Sequence, residues 1–399
     1  MRVLHVYNSH RRGGGSDNAW AATIRLSRLA GIEVEVLARS STDIAPTLGG
    51  RIGAALSGIY SAGGAAETRR AIDRFRPDIV HTHELYPLWS PSVIRAASRM
   101  GVPVVHSCYD FRLSCPIATH FRGGAICRRC IGGREYAAIL FNCRGSLSES
   151  LAYAARNAAS RALGLFARHV SEYFVFSPFQ RAWLTADVGV PADRVTVVPC
   201  LIETPDQPAD PAAGAYIAYA GRFVPEKGVE LLIEAARRTG LPVRLAGDAA
   251  THPAIRPGDP VQCVVTRSPA ELAAFYRGAR MLVVPSIWNE TFCIVGAEAM
   301  SHAIPVVASR LGALQDLVDD GKTGLLFTPG DVQSLADQML RLWHDPALAR
   351  ELGAAARAHV ARSYGAGVHI ARLKAGYARA MLSHGRHGAP VIDTNHRLG

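Results

Sequence analysis

Residues 281–309 read MLVVPSIWNETFCIVGAEAMSHAIPVVAS, and this stretch decides the fold. The apolar run at 281–284 stops at a Pro-Ser turn, which is typical of a buried strand. From residue 292 to residue 302 the apolar side chains recur at helical spacing, so Glu290 lies just ahead of a predicted helix and Glu298 lies within it. The stretch therefore predicts a strand, a turn and a helix, with two carboxylates flanking the start of the helix.

The start of this helix suits an anionic ligand. Backbone N–H groups and the helix dipole attract negative charge there, while a neighbouring carboxylate accepts hydrogen bonds from hydroxyl groups. We therefore expect a nucleotide sugar to contact the backbone of Phe292, Cys293 and Ile294, together with Glu290 and Glu298. The competing interpretation is a surface glutamate ahead of an ordinary helix, since motifs of this length also arise by chance.

A second motif, Gly221-Arg222-Phe223-Val224-Pro225-Glu226-Lys227-Gly228, follows the predicted strand 215–220. Arg222 comes directly after that strand, and Lys227 precedes the next predicted helix. Two cations at a helix N-terminus can neutralise a diphosphate whose charge grows as a glycosidic bond breaks. Structural salt bridges are the alternative role for the same side chains.

The two motifs together resemble those of the family 4 glycosyltransferases, namely Glu290-x7-Glu298 followed by Ala-Met and Pro-Val-Val, and the Gly-Arg…Lys-Gly pattern. The resemblance covers the chain up to about Leu382. It implies an α/β GT-B fold of two doubly wound Rossmann-like domains facing across a cleft. It also implies that Glu290 faces the donor sugar hydroxyls and that Glu298 faces the nucleotide ribose.

The resemblance further implies a retaining transferase that moves a hexose-like sugar from a nucleoside diphosphate to an acceptor hydroxyl. In such enzymes the donor's own phosphate takes the acceptor proton, and no catalytic metal or other cofactor is required. The chain holds no Asp-x-Asp motif. An epimerase on the same fold and a non-catalytic nucleotide-binding scaffold are the alternatives.

The chain departs from the family pattern at two positions. Cys293 stands where the family usually has a glycine after Phe292, and Ala303 stands where it usually has one before Pro305. The first glycine lets backbone approach the sugar in the family, so the donor geometry is where a difference is expected.

A length of 399 residues suits two domains. No run of 18 apolar residues is present, and the N-terminus reads as a short strand followed by glycines. We therefore expect a cytoplasmic protein, bound peripherally to the inner face of the membrane if it meets a membrane at all.

The net charge of +11 is concentrated in the first half, because residues 1–195 hold 24 Arg and 14 acidic residues. No nucleic-acid-binding motif accompanies this charge, so an anionic membrane surface is the predicted partner. Arg156, Arg161 and Arg168 are candidates for that contact. The resemblance adds a nucleotide-sugar donor and a glycan or lipid-linked acceptor, and indicates a role in polysaccharide or glycolipid synthesis.

Short apolar runs alternate with helical stretches in both halves of the chain, which predicts parallel sheets covered on both faces. A strand at Val3–Tyr7 leads into a glycine turn, where Gly14 and Gly15 would allow backbone to approach a ligand, with a plain flexible turn as the alternative. We expect an acceptor-binding domain over 1–195, a Pro-rich linker over 196–214 and a donor-binding domain over 215–365. The resemblance implies that a helix over 366–382 crosses back to the first domain, and we expect a disordered tail over 383–399.

His106 follows a predicted strand of the first domain, so its imidazole is expected at the strand's carboxyl end. There it could hydrogen-bond the reacting sugar or orient the acceptor hydroxyl without a positive charge. The resemblance favours this role, because the family has a cleft histidine after this strand. A structural histidine is the alternative.

The segment 108–145 contains the spacing Cys115-x11-Cys127-x2-Cys130-x12-Cys143. A Cys-x-x-Cys pair flanked by single cysteines in a reducing compartment suits a closed four-thiolate zinc site. Separate buried thiols or a pair of disulfides are the alternatives. A similar Cys-rich insertion occurs in some family 4 members that build bacterial surface polysaccharides.

Overall fold

A computed structural model describes residues 1–10 and 14–387 of the chain. Its strands are, in chain order, β1 (Arg2–Ser9), β2 (Glu33–Ser40), β3 (Ile79–Thr82), β4 (Val104–Ser107), β5 (Phe121–Arg122), β6 (Ala125–Ile126), β7 (Glu172–Val175), β8 (Val195–Val197), β9 (Tyr216–Ala220), β10 (Val243–Ala246), β11 (Val261–Val264), β12 (Ala279–Val284), β13 (Val306–Ser309) and β14 (Gly324–Phe327).

The helices cover the faces of two sheets. They are α1 (Gly15–Leu29), α2 (Leu48–Ile59), α3 (Ala62–Phe75), α4 (Ser92–Arg99), α5 (Ala137–Leu140), α6 (Leu147–Ala162), α7 (Pro178–Ala186), α8 (Val229–Thr239), α9 (Pro269–Arg277), α10 (Ile294–Ser301), α11 (Leu314–Leu317), α12 (Val332–His344), α13 (Pro346–Tyr364) and α14 (Ala366–His387). Short 3-10 turns lie at Ser41–Asp43, Ala192–Arg194, Pro211–Ala213 and Pro225–Lys227.

Each sheet has six parallel strands. The first has the order β2-β1-β3-β4-β7-β8 and the second the order β11-β10-β9-β12-β13-β14, while β5 and β6 form a separate antiparallel hairpin. Both orders place the first strand of a domain inside its sheet, so the chain winds outward in both directions. The prediction of two doubly wound Rossmann-like domains is confirmed.

Buried aliphatic side chains explain why these segments are strands. In the second sheet Ile217, Leu245 and Val283 pack towards α8 and α12, while alternate residues of the same strands pack towards α10 and α13. A parallel sheet covered on both faces requires apolar side chains on both sides of each strand. The near-continuous apolar runs of the sequence meet this requirement, because successive side chains of a strand face opposite sides of the sheet.

Helix α14 crosses from the second domain to the first sheet. Leu373 and Tyr377 pack against Val105 and Phe174 there. Gly376 makes the approach possible, since a Cβ at this position would lie 2.3 Å from the Phe174 ring.

The ends of the domains differ in detail from the sequence expectations. Strand β8 includes the first two residues of the segment expected as a linker, because Thr196 and Val197 pair with β7. Helix α14 continues to His387, so the tail expected from Ser383 does not begin there, and the rest of it lies outside the described residues. The first sheet is therefore completed by β8, which precedes the second domain in sequence, and is covered by α14, which follows it.

The basic surface also differs from expectation. Arg156 is buried, and its guanidinium donates to the Pro116 carbonyl oxygen at 2.9 Å. Arg161 pairs with Glu135 at 2.7 Å, which leaves Arg168 as the exposed, unpaired member of the expected set within the described residues. Helical spacing alone does not reveal which face of α6 is covered. Among residues 1–10 and 14–387, no helix combines the length and apolar character needed to cross a membrane.

Candidate active site

Two loops meet at the carboxyl edge of the second sheet, because β9 and β12 are neighbouring strands. The loop after β9 carries the motif with Arg222 and Lys227, and the loop after β12 leads to α10. The Ile287 N–H donates to the Glu226 carbonyl oxygen at 3.0 Å. Gly228 has a φ of 66°, and a Cβ there would lie 2.0 Å from the Pro285 carbonyl oxygen, so only glycine fits this crossing.

Lys227 and Glu290 form an ion pair between these loops. Lys227 Nζ lies 2.7 Å from Glu290 Oε1, which also accepts hydrogen bonds from Ser286 Oγ at 2.6 Å and Trp288 Nε1 at 3.1 Å. Burial alone would raise the pKa of Glu290, but Lys227 and the hydrogen bonds from Ser286 and Trp288 outweigh it, so the pKa lies below its usual value. Glu290 is therefore an ionised carboxylate held in one position at neutral pH.

Arg222 belongs to the same loop after β9 as Lys227, and it is exposed. No hydrogen bond or ion pair of its guanidinium occurs within residues 1–10 and 14–387. A charged group without a protein partner at the carboxyl edge of a parallel sheet can bind an anion.

Helix α10 begins beside the ion pair. Its N-cap is Cys293, at a φ of 79°, and no side chain caps the first turn. The N–H groups of that turn are thus able to bind an anion. Burial raises the pKa of the Cys293 thiol to about 12, so this sulfur is protonated at neutral pH.

Glu298 lies on the second turn of α10. Its Oε2 accepts a hydrogen bond from Tyr276 Oη at 3.0 Å, and burial raises the pKa of the carboxyl. Glu298 is not part of the hydrogen-bond network around Glu290. The two glutamates of the motif therefore lie in separate hydrogen-bond networks, Glu290 ahead of α10 and Glu298 within it.

The glycine turn of the first domain abuts the same helix. Gly14 is the N-cap of α1, which begins at Gly15, and a Cβ on Gly15 would lie 3.2 Å from Ile294 Cδ1. Nothing lies within 4 Å of a Cβ on Gly14. Gly15 thus contacts the first residue of α10, while Gly14 faces open space.

Tyr109 joins the two halves of the site and is absent from the predicted set. Its carbonyl oxygen accepts a hydrogen bond from Thr291 Oγ1 at 3.2 Å, and its hydroxyl is hydrogen-bonded to His83 Nδ1 at 3.0 Å. Its ring lies 5.0 Å from that of Phe176. Its place just after β4 could have suggested a cleft residue, but the sequence does not show which side chain of that turn faces the second domain.

His106 lies elsewhere on the same strand. It lines a cavity of about 330 Å³ whose walls come from the first domain. Its Nδ1 is hydrogen-bonded to Thr82 Oγ1 at 3.0 Å, and burial lowers its pKa to about 4. His106 is therefore neutral at pH 7, and the structure does not bring it into contact with Lys227 or Glu290.

Charged side chains line the same cavity. Arg112 donates to Glu84 Oε2 at 2.7 Å and to Asp110 Oδ2 at 2.6 Å. Burial alone would raise the pKa of Glu84, but the Arg112 guanidinium and the His10 imidazole together outweigh it and hold this pKa at about 2. Two carboxylates, a guanidinium and the His106 imidazole thus surround a space of small-ligand size.

Three further histidines lie in the first-domain core. His5, His81 and His83 bring ligand atoms within 4.8 Å of one another. Five of their six ring nitrogens take part in hydrogen bonds, whereas His5 Nε2 is buried without a partner among the described residues. His5 Nδ1 and His83 Nε2 lie 2.9 Å apart, and His81 is bonded to Tyr377 Oη and to Ser107 Oγ, each at 2.8 Å. A hydrogen-bond chain therefore runs from His5 through His83 to Tyr109.

The predicted cysteine set lies apart from Lys227 and Glu290. Cys115, Cys127, Cys130 and Cys143 surround one small cavity of about 20 Å³.

Family profiles match both domains. The profile described as "Glycosyl transferase 4-like domain" covers residues 14–200, and the one described as "Glycosyl transferases group 1" covers residues 203–359. The two together span nearly all of the described chain.

Curated proteins with related sequences are glycosyltransferases. The D-inositol 3-phosphate glycosyltransferase of Xylanimonas cellulosilytica is 30% identical over 76% of this chain and 72% of its own length. An uncharacterized glycosyltransferase of Methanocaldococcus jannaschii, MJ1178, is 33% identical over 34% of this chain. The match to MJ1178 spans 40% of that protein, and the match to the MMP alpha-(1->4)-mannosyltransferase of Mycolicibacterium hassiacum spans 49% of its length.

Solved structures show the same architecture. The sucrose-phosphate synthase of Thermosynechococcus elongatus superposes with a TM-score of 0.69 at 18% identity, over 96% of this chain and all of that one. Anabaena HepE, solved in complex with UDP and glucose, gives a TM-score of 0.65 at 17% identity, over 94% of this chain and 99% of that one. These likenesses support the fold, and the sequence matches over both domains support the family: the chain belongs to the GT-B glycosyltransferases.

Proposed function

We propose that this chain is a retaining glycosyltransferase of family 4 that moves a sugar from a nucleoside diphosphate to an acceptor hydroxyl. The observation that carries the proposal is the Lys227–Glu290 pair at 2.7 Å, formed between two strand ends and beside the start of α10. In this pair Lys227 is a cation that can stabilise a leaving diphosphate, and Glu290 is a carboxylate that can accept hydrogen bonds from sugar hydroxyls. Structural salt bridges without a ligand role would not need the exposed Arg222 beside them.

The leaving group is the diphosphate of the donor. Arg222, Lys227 and the N–H groups of the first turn of α10 are the positive groups that would bind it. Because negative charge accumulates on the diphosphate as the glycosidic bond breaks, these groups stabilise the transition state more than the ground state. Positive protein groups can thus carry this stabilisation without a catalytic metal.

The two glutamates would bind the ends of the donor. Glu290, ionised and fixed by three donors, accepts hydrogen bonds from the sugar hydroxyls. Glu298, on the second turn of α10, accepts hydrogen bonds from the ribose hydroxyls. Retention follows if the donor phosphate takes the acceptor proton on the face where the bond breaks, and the protonated Cys293 thiol is not a competing nucleophile.

The acceptor would bind in the first domain. Its cavity of about 330 Å³ contains Glu84, Asp110, Arg112 and His106. Paired carboxylates and a guanidinium suit a hydroxyl-rich acceptor, which agrees with a glycan or the sugar of a lipid-linked intermediate. The neutral His106 can orient the acceptor hydroxyl through its imidazole.

The proposal includes contact with an anionic membrane, as glycolipid or polysaccharide synthesis would require. Leu48, Ile52 and Leu56 follow one face of α2 and are 74%, 52% and 62% exposed. The neighbouring helix α6 adds the exposed Leu147 and Leu151. An apolar face on a basic domain fits a lipid surface with negative headgroups.

A screen of nucleotide sugars tests the proposed function. A donor at about 100 times its dissociation constant should stabilise the chain by about 2.7 kcal/mol. HepE was solved with UDP and glucose, so uridine nucleotides are tried first. The anomeric configuration of the product, followed by NMR with divalent metals omitted, then tests retention and metal independence.

The alternatives give different results in the same screen. An epimerase would consume the donor in buffer without an acceptor, and a scaffold would bind it without turnover. A product of inverted configuration would contradict retention while leaving the transferase activity in place.

A further inference from the structure

The segment 115–145 is folded without a hydrophobic core of its own. All of its residues are described, and none belongs to the four buried apolar clusters of the chain. Its regular structure consists of the two-residue strands β5 and β6 and the four-residue helix α5. Ordering a segment of this length costs conformational entropy that its few buried side chains do not offset.

The cysteines occupy the place where a core would be. Cys115, Cys127, Cys130 and Cys143 all line one cavity of about 20 Å³. A space of this size holds about one water-sized particle. All four cysteines are free thiols, and Cys115 is buried.

Backbone hydrogen bonds hold the cysteine-bearing turns in place. The Ala118 N–H donates to the Cys115 carbonyl oxygen at 2.9 Å, and the Cys127 N–H donates to the His120 carbonyl oxygen at 2.7 Å. His120 Nδ1 is bonded to the Cys127 carbonyl oxygen at 2.8 Å. Cys143 is held through its N–H, which donates to the Ala138 carbonyl oxygen at 3.0 Å. These bonds fix the backbone at Cys115, Cys127 and Cys143, which line one cavity together with Cys130.

Arginine side chains lie in the same segment, and Arg122 lines the cysteine cavity. The Arg122 and Arg129 guanidinium carbons lie 4.4 and 4.8 Å from the centroid of the Phe141 ring. A Zn²⁺ ion bound by four thiolates carries a net charge of −2, which such guanidinium groups would balance. The arginines of the segment therefore have a role that does not require a membrane.

We propose that Cys115, Cys127, Cys130 and Cys143 bind one structural Zn²⁺ ion, which holds residues 115–145 over the first-domain cavity. Each thiol loses its proton to solvent as its Zn–S bond forms, so four protons are released per ion. Four thiolates leave no open position, so the ion has no role in the chemistry. Within the described residues only His5, His81 and His83 bring three ligand atoms within 4.8 Å, so zinc binding has to draw the thiolates inward.

The proposed ion would act on the acceptor side of the enzyme. Cys130, Gly132 and Gly133 line the cavity that also contains His106 and Asp110. Arg161, on α6, ties the same turn to the domain through Glu135 at 2.7 Å. Loss of the ion would therefore loosen the wall of this cavity, while the Lys227–Glu290 pair lies in the other domain.

Metal analysis of the full chain, purified without chelator, tests the proposal independently of any activity. We expect about one zinc per chain. The double variant Cys127→Ser/Cys130→Ser should contain less than about a tenth of this amount, and the matched control Cys263→Ser, on β11, should keep it all. Co²⁺ exchanged for Zn²⁺ should give the strong visible absorption of a tetrahedral thiolate site.

The variants could fail to fold, so Cys143→His provides a second route. Histidine is a zinc ligand, and this variant should keep about one ion with an altered Co²⁺ spectrum. Negligible metal in the wild-type chain, with these four cysteines either reactive as free thiols or joined in disulfides, would overturn the proposal. That result would leave the proposed transferase function intact. A chain that binds zinc but has no transferase activity would instead contradict the transferase function and leave the zinc proposal intact.

Discussion

Cys293 and Ala303 bracket helix α10, and both adopt left-handed backbone, at φ values of 79° and 64°. They are the two positions at which the family pattern has glycine. Ala303 follows the C-cap residue: its N–H donates to the Met300 carbonyl oxygen and the next N–H, of Ile304, to that of Ala299, each at 3.0 Å. This is the Schellman arrangement, in which glycine is preferred because a Cβ is strained at positive φ. The strain at Ala303 leads to a direct test.

We expect Ala303→Gly to leave the protein more stable than Ala299→Gly by about 2 kcal/mol. Both alanines are buried, so both variants lose a similar methyl contact. Glycine inside the helix at Ala299 costs about 1 kcal/mol, whereas at Ala303 it relieves left-handed strain of about 1–2 kcal/mol. Urea denaturation of the two variants measures the difference. Equal stabilities would mean that Ala303 is not strained.

Removal of the cation of the Lys227–Glu290 pair should slow turnover. We expect Lys227→Ala to lose about 100-fold or more in kcat, because stabilisation of charge on a leaving group is typically worth about 3 kcal/mol. Glu290→Gln should also lower kcat, since a neutral amide does not accept as strongly from a sugar hydroxyl.

The control for this pair is Lys322→Ala, because Lys322 is 74% exposed and forms its ion pair with Asp319 on the surface, away from Glu290. It should retain wild-type kcat. Melting temperatures separate loss of catalysis from loss of fold. A folded Lys227→Ala enzyme with a wild-type rate would remove Lys227 from the diphosphate site.

The fold followed from the sequence because alternating strands and helices are local patterns. The site followed only in part. The loops of Lys227 and Glu290 could be paired from their motifs, since both come after strands of one domain. Tyr109 could not be found this way, because its contact with Thr291 depends on how two domains meet, 182 residues apart in sequence. The His5–His83 bond likewise depends on strand order across 78 residues.

Glu298→Gln should weaken nucleotide binding and yet stabilise the protein at pH 7. Burial raises the pKa of Glu298, so its ionised form opposes folding. A raised carboxyl pKa lowers stability as pH rises through the unfolded value near 4.5, so the advantage of glutamine should appear above that pH and vanish below it.

Denaturation at pH 4 and pH 7 measures the pH dependence of this gain, and nucleotide titration measures the affinity. The exposed Glu351, on α13, provides the control variant Glu351→Gln, for which neither quantity should change. Unchanged nucleotide affinity in Glu298→Gln would contradict the ribose role.

Membrane binding should depend on both charge and the apolar face of α2. We expect flotation with anionic vesicles to decrease as salt rises, because exposed charges more than about 8 Å apart are screened at physiological ionic strength. Ile52→Ser/Leu56→Ser should reduce binding further. Leu29→Ser, at a residue 73% exposed on α1, should not. Equal binding to neutral vesicles at high salt would show that charge is not the cause.

Acid should destabilise the first domain through its buried histidines. Burial lowers the pKa of His5 to about 3 and that of His106 to about 4, from 6.5, so both are neutral in the folded protein. A histidine with a lowered pKa contributes full stability above pH 6.5, and this contribution is lost as pH falls towards the folded value. These two groups alone should make the free energy of unfolding fall by about 2.7 kcal/mol per pH unit near pH 5.

Replacing one of these histidines should reduce that slope. In His106→Gln, an amide can still hydrogen-bond Thr82, so the variant removes one titrating proton while keeping the contact. Its free energy of unfolding should change less steeply between pH 6 and pH 5, by about 1.4 kcal/mol per pH unit. His344→Gln alters an exposed histidine on α12 and should keep the wild-type slope. If His106→Gln also keeps it, His106 is already protonated in the folded protein, and its imidazole cannot be the neutral group that orients an acceptor hydroxyl.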